Sequence, residues 1–264
     1  MSDAKPRGAS ALISGKVSLG ILFIVLSSML FAPLTQTATK FLAGDFSIFQ
    51  ILFFRSLGQT IWMVLFFWPR HRFTMFRANR PGLHLARSTL LFLSTLFWIS
   101  AIAHVPLATA SAINFTAPVF VVILSIPLLG ERVGIHRWSA VLIGFVGALI
   151  VIQPGRAGFS VDLLLLLCAA FLFAVYQILT RKGAATDTEA TSTVYTILVG
   201  LIVSAALIPW NYKAPDAGDF VVWGAFFATG FLGGIRHYLV IKSYSYAPAS
   251  VISPFFYGEL VGVT

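Results

Sequence analysis

Nine stretches of this 264-residue chain can be read as lipid-crossing, and that constrains the fold more than any other feature. A helix needs about 20 mostly apolar residues to span a bilayer core. The candidate spans lie near 17–38, 46–68, 84–103, 107–129, 138–153, 163–180, 191–209, 220–241 and 246–264. Most boundaries carry a break: Gly44-Asp45, Trp68-Pro69, Val105-Pro106, Gly130-Glu131, Gln153-Pro154-Gly155, Arg181-Lys182-Gly183 and Pro209-Trp210-Asn211. The fifth span is short, and the turn between the third and fourth is tight. The runs are apolar on every face and longer than the roughly 10-residue alternating strands of a membrane barrel. The expected fold class is therefore all-α, a polytopic helical membrane protein. The first span is read as a retained helix, because it is long and lacks a clear small-residue cleavage site.

Composition closes the alternatives. Hydrophobic residues make up 58% of the chain and charged residues 10%. Soluble domains are nearer 45–50% and about 25%, so there is too little polar surface for a water-soluble fold of this size. A disulfide scaffold is excluded by a single cysteine, Cys168. The net charge of +9 would suggest nucleic acid in a soluble protein, and cytoplasmic loops in a membrane protein.

Placement of the charges decides between these. With the N-terminus inside, inner segments hold Lys5, Arg7, Lys16, Arg70, Arg72, Arg77, Arg80, Arg87, Arg132, Arg137, Arg181, Lys182 and Lys242. Outer segments hold only Lys40, Arg156 and Lys213, and Arg55 and Arg236 fall within spans. This is the positive-inside pattern. It makes residues 1–16 a cytoplasmic segment and explains the charge without nucleic acid. The Arg70–Arg80 cluster reads as a topology determinant, with anionic lipid heads as the alternative.

A displacement of 142 brings out a weak internal duplication. Lys40 meets Lys182, Asp45 meets Asp187, Gly58 meets Gly200 and Trp68 meets Trp210. Five spans separate the copies, so the two would sit in opposite orientations, as in transporters that alternate access around a midplane site. The first repeat would cover 17–153 with five helices, and the second 163–264 with four. On this reading the chain stops before a tenth helix, which keeps a nontransporting scaffold or inactive fragment as an alternative to a carrier.

Local patterns carry a family resemblance. They are Phe54-Arg55-Ser56, Ala108-Thr109-Ala110-Ser111-Ala112 running to Ala117-Pro118, Gly130-Glu131-Arg132-Val133, Gly144-Phe145-Val146-Gly147-Ala148 and Tyr246-Ala247-Pro248-Ala249-Ser250. With the twofold repeat, they make the chain resemble the EamA-type ten-helix carriers of the drug/metabolite transporter superfamily. It is also similar to a bacterial subgroup that includes S-adenosylmethionine uptake carriers. The resemblance implies two inverted five-helix repeats. It also implies a secondary transporter that moves a small polar metabolite across the bacterial inner membrane by alternating access.

Arg55 is the sharpest candidate. It lies about 13 Å into its span at 1.5 Å per residue, where an arginine costs at least about 2.5–3.5 kcal/mol on insertion scales. It must face the bundle interior, either in a structural pair or at a substrate, and a carboxylate-bearing substrate would suit it. Gln59 and Trp62 share its face. Glu259 is the acid deepest in a span, and reads as a proton-coupling group, a substrate contact or a partner of Arg55. Tyr257 shares a face with Ser250 and Pro254, and cannot face one cavity together with Glu259 unless the helix breaks at Pro254.

Further candidates are Gln36 beyond Pro33, Asn114 ahead of Pro118, Tyr176, and Trp98 as a stacking group. Arg236 reads as a snorkelling side chain, and His237 and His104 as interfacial. Ala140, Gly144 and Ala148, and the pair Gly230 and Gly234, suit close helix packing and leave room for a homodimer. No Walker glycine-lysine signature or HExxH motif occurs, so neither a nucleotide cofactor, a metal nor an enzyme activity is expected.

Overall fold

The computed structural model describes residues 7–152, 160–216 and 218–259, and among these the chain forms helices joined by turns, with no strand. Lys5, Arg156 and positions 260–264 of the last span lie outside the described residues. The helices are α1 (Arg7–Leu26), α2 (Ala32–Ala43), α3 (Ile48–His71), α4 (Pro81–Ile102), α5 (Leu107–Asn114), α6 (Ala117–Leu129) and α7 (Ile135–Ile152). They continue with α8 (Val161–Gly183), α9 (Glu189–Asn211), α10 (Phe220–Phe227), α11 (Gly233–Tyr246) and α12 (Ala249–Ile252).

Six stretches are long and apolar enough to cross a membrane: Gly15–Ala43, Ile48–Phe76, Pro81–Ile102, Thr109–Leu129, Val161–Gly183 and Glu189–Asn211. The chain is an all-α polytopic membrane protein. Its outward face confirms the choice of solvent, since Leu65, Ile143, Ile202 and Phe227 are all well exposed, as lipid contact favours.

Prolines set the interruptions. Pro33 offers no amide to the carbonyl four residues back, and α1 joins α2 through a π turn at Ser27–Phe31 that contains that residue, Met29. Pro118 stands in the first turn of α6, and the chain kinks at Phe115–Thr116 between α5 and α6. Pro254 follows α12, where the helix tightens to 3-10 geometry over Ser253–Glu259. A second π turn, Ala228–Leu232, joins α10 to α11 without a proline.

Caps and turns fix the ends. Ser47 accepts the Gln50 amide at the start of α3, Thr188 accepts the Thr191 amide at α9, and Asp219 accepts two amides at α10. Such caps satisfy donors that the helix itself leaves free. Gly130 ends α6 with φ of 66°, a left-handed value that only glycine adopts without strain.

The connections alternate between two ends of the bundle. One end, here the basic end, carries the turns after α3, α6, α8 and α11, with Arg70, Arg72, Arg77, Arg80, Arg132, Arg181 and Lys182. The far end carries the turns after α2, α4 and α9, with Lys40 and Lys213. Arg87 departs from the sequence reading. It was expected among the inner-segment charges, yet it sits within α4 with 0% exposure.

Helix α4 packs on α8, α3 on α9, α1 on α11, and α3 also against the second π turn. At that last contact Gly58 and Gly230 meet backbone to backbone. A Cβ on Gly58 would lie 2.7 Å from the Gly230 Cα, so neither position has room for a side chain.

Candidate functional site

The interior carries polar groups among its apolar clusters. Thr35, Gln36, Thr39, Gln59, Arg87, Ser94, Gln177, His237 and Glu259 are all buried. Buried polar groups are costly unless partnered, so their distribution identifies where the molecule uses polarity.

A cavity of about 560 Å³, counted to its open mouth, lies among α2, α3, α4, α5, α8 and α11. Its polar lining includes Gln36, Arg55, Asn114, Arg236 and His237, and Trp98 and Phe173 supply aromatic wall. Four sequence candidates therefore meet there: Gln36, Arg55, Trp98 and Asn114. Thr39 and Trp98 lie one turn from the far ends of α2 and α4, while Arg55 and Arg236 lie near the middle of their rods. The cavity thus occupies the middle and far half of the bundle.

The interruptions bring these groups together. The π turn and Pro33 direct Gln36 inward, the α5–α6 kink presents Asn114, and the second π turn precedes Arg236 and His237. Gly233 and Gly234 allow α11 to approach α3 closely, against Gln59 and Trp62.

Two arginines face the cavity, and they are held differently. Arg236, with 14% of its side chain exposed, approaches Glu259 at 3.6 Å, and Gln36 donates to the other oxygen of that carboxylate. This corrects two sequence readings: Arg236 does not snorkel, and the partner of Glu259 is Arg236 rather than Arg55. Arg55 has no acidic partner among the described residues. Its guanidinium lies 3.1 Å from His237 Nε2, so His237 is an interior group and not an interfacial one.

The remaining candidates lie elsewhere. Gln59 lines a smaller adjoining cavity with Arg55, Ser56 and His237. Tyr176 is fully buried, with its ring under the Arg87 guanidinium at 5.5 Å and edge-on to His237. Tyr257 points away from the cavity, donates to the Phe115 carbonyl at 3.0 Å and packs on Gly144. It does not share a face with Glu259, even with the helix broken at Pro254.

Sequence reasoning passed over Arg87. Its guanidinium donates to the Ser192 carbonyl and the Thr196 hydroxyl, with the Thr180 hydroxyl at 3.5 Å. It thereby joins α4 to α8 and α9. The signal in the sequence was its position, three residues inside the span read over 84–103.

The basic end is closed by polar ties between turns. His84 and Asp187 pair at 3.1 Å, and Asp187 also accepts the Asn79 amide at 2.7 Å. Burial pushes the Asp187 carboxyl up, but the bonds from the Asn79 amide, His84 and Thr186 outweigh it and hold it below the ordinary value. Arg181 donates to the Tyr244 carbonyl. Glu131 accepts the Ala249 and Ser250 amides at the start of α12, and Arg137 donates to the Ser250 hydroxyl. At the far end, Lys40 donates to the Ile102 and Val105 carbonyls, and Gln50 exchanges two bonds with the Lys213 backbone.

Residues 18–153 match the model of the EamA-like transporter family. The chain is 27% identical to the S-adenosylmethionine uptake transporter of Rickettsia bellii, over 92% of this chain and 82% of that protein. It is 31% identical to the riboflavin transporter of Vibrio cholerae, over 70% and 61% of the two chains. It is 27% identical to the pseudopaline exporter of Pseudomonas aeruginosa, over 89% and 81%. One crystal structure superposes with a TM-score of 0.74 at 20% identity, covering 94% of this chain and 86% of that one.

Proposed function

Because the chain belongs to the EamA-like transporter family, we propose that it is a secondary carrier whose transport site is the cavity around Arg55. It moves a small polar metabolite across the bacterial inner membrane by alternating access, with the basic end and the N-terminus in the cytoplasm. The single observation that carries this reading is Arg55: a guanidinium at mid-bundle, facing a cavity, without a carboxylate partner among the described residues. A buried cation of that kind is stabilised when a ligand brings the counter-charge. The substrate class is accordingly a metabolite with a carboxylate. S-adenosylmethionine, named for one set of relatives, has one.

The two halves are read as inverted repeats displaced by 142 residues, and two sets of contacts support this. The Ser88 hydroxyl donates to the Thr196 carbonyl, while their mates Gly230 and Phe54 meet at the equivalent carbonyl. Phe115 and Tyr257 are themselves 142 apart and touch each other. Such repeats place the substrate between the halves, where each half can rock against the other. With the basic end tied and the cavity toward the far end, this is the outward-facing member of the cycle. A proton is the proposed coupling ion; Gly144, Gly230 and Gly234 pack within the chain, against Tyr257, Gly58 and Trp62, and give no support to a homodimer.

The test is flux in reconstituted vesicles, with S-adenosylmethionine as the first probe and riboflavin as the second. Wild type is expected to take up the carboxylate-bearing probe, and Arg55→Ala to lose at least about tenfold of that uptake, the scale of one lost charge-assisted contact. Equal flux through both proteins, for any verified substrate, would remove the assignment.

A further inference from the structure

The contact between Arg55 and His237 has a consequence for protons. An arginine has donors only and no acceptor. In the contact at 3.1 Å, His237 Nε2 must therefore accept, so the imidazole in this contact is neutral with its proton on Nδ1. That Nδ1 has no hydrogen-bond partner among the described residues, although His237 is only 5% exposed. Three arginines lie around this ring. Arg55 faces it from α3, Arg87 from α4, and Arg236 adjoins it on α11. Tyr176 meets it edge-on from α8, and Gln59 of α3 shares its smaller cavity. Glu259, the only acid in this group, is engaged by Arg236 and Gln36.

We propose that His237 is the proton-coupling residue, and that a carboxylate entering the cavity admits one proton by displacing it from Arg55. This rests on the carrier reading above. A carboxylate on Arg55 satisfies the guanidinium better than a neutral nitrogen does, since charge-assisted pairs are the stronger ones. The Nε2 lone pair is then released. The carboxylate also cancels one of the positive charges around the ring. A proton from the water at the cavity mouth adds to Nε2, and the new N–H donates to the bound carboxylate. One anionic group and one proton bind together and leave together, so charge balances within the site. Each promotes the binding of the other by the same factor, because linkage is reciprocal. Glu259 in this scheme is the counter-ion of Arg236.

The experiment uses the 264-residue protein purified in detergent, with benzoate as the probe and benzamide as its uncharged counterpart. Proton uptake is read with an indicator in weakly buffered solution near neutral pH. Saturating benzoate should draw about one proton per chain into wild type, as linkage between the two sites requires, and benzamide none. His237→Gln should lose that uptake, and Asp187→Asn, at the basic end and outside the cavity, should keep it. Nitrogen-15 imidazole spectra of wild type give a second reading that needs no variant: Nε2 of His237 should change from a bare nitrogen to an N–H when benzoate binds. No proton uptake by wild type, equal uptake by His237→Gln, or an unchanged Nε2 signal would each overturn the proposal. Vesicle flux separates this failure from that of the carrier reading: if flux persists without proton uptake, only the role of His237 is lost.

Discussion

Arg55 and Arg87 are both arginines at membrane depth, and their surroundings are opposite. Arg87 donates to the Ser192 carbonyl and two threonine hydroxyls and lies over the face of Tyr176, with its Nε alone left without a partner among the described residues. Arg55, on the neighbouring helix, has one neutral nitrogen and a cavity. The interior meets the cost of Arg87 with protein groups and leaves that of Arg55 to be met by something that enters. The difference teaches that depth alone does not mark a transport residue. What marks it is the shortage of partners at that depth.

Exchanging the two roles by mutation is the sharpest way to break this comparison. Arg87→Ala is expected to destabilise the folded protein by about 3 kcal/mol, since it opens a void and orphans buried acceptors. Thermal unfolding in detergent reads this. Arg55→Ala should shift the unfolding midpoint little while removing transport. A result in which Arg55→Ala unfolds the protein and Arg87→Ala merely slows flux would reverse the assignment.

The next largest effect concerns Arg236. Glu259→Gln leaves that guanidinium without its counter-charge, at a cost of roughly 3 kcal/mol or somewhat less given its partial access to the cavity. Adding Arg236→Met to the same protein should recover much of the loss. No recovery would mean that the pair is not the source of the stability. Gly58→Ala comes next: its Cβ would fall 2.7 Å from Gly230, and overpacking of this kind costs about 1–3 kcal/mol.

The smallest effect lies at the basic end. The Asp187 carboxyl is held below its ordinary value in the folded protein. Its stabilisation is therefore present above the unfolded value and is lost as pH falls through the folded one. Below about pH 4, close to the free aspartate value, wild type should lose this contribution. Asp187→Asn should show a flatter acid limb in thermal unfolding.

Much of the fold was legible because its determinants are local. Apolar runs and the missing amides of Pro33, Pro118 and Pro254 act within one or two turns. The positions of Arg55, Gln36 and Asn114 on one cavity were legible for a related reason. Lipid excludes polar groups, so each had to face inward. What the sequence could not disclose was pairing. Glu259 lies 23 residues from Arg236 and 204 from Arg55 by number, and only the 3-10 segment after α12 decides between them. Arg87 was misjudged for the same reason: its partners sit on α8 and α9, and their register against α4 is a tertiary fact. Tyr257 is a milder case, since its hydroxyl is engaged by a carbonyl whose position depends on the α5–α6 kink.

The π turn at Ala228–Leu232 makes the site dependent on one surplus residue. A π segment winds about 18° less per residue than an α-helix, so over five residues the chain lags by roughly a quarter turn. Arg236 and His237, just downstream, owe their bearing to that lag. Were the rod from Phe220 to Tyr246 a single unbroken α-helix, both would swing out of register with Arg55 and Glu259, and the cavity would lose a wall without any change in composition. A deletion of one residue within Ala228–Leu232 is thus a steering change: it leaves every polar group in the chain and disassembles the place where they meet.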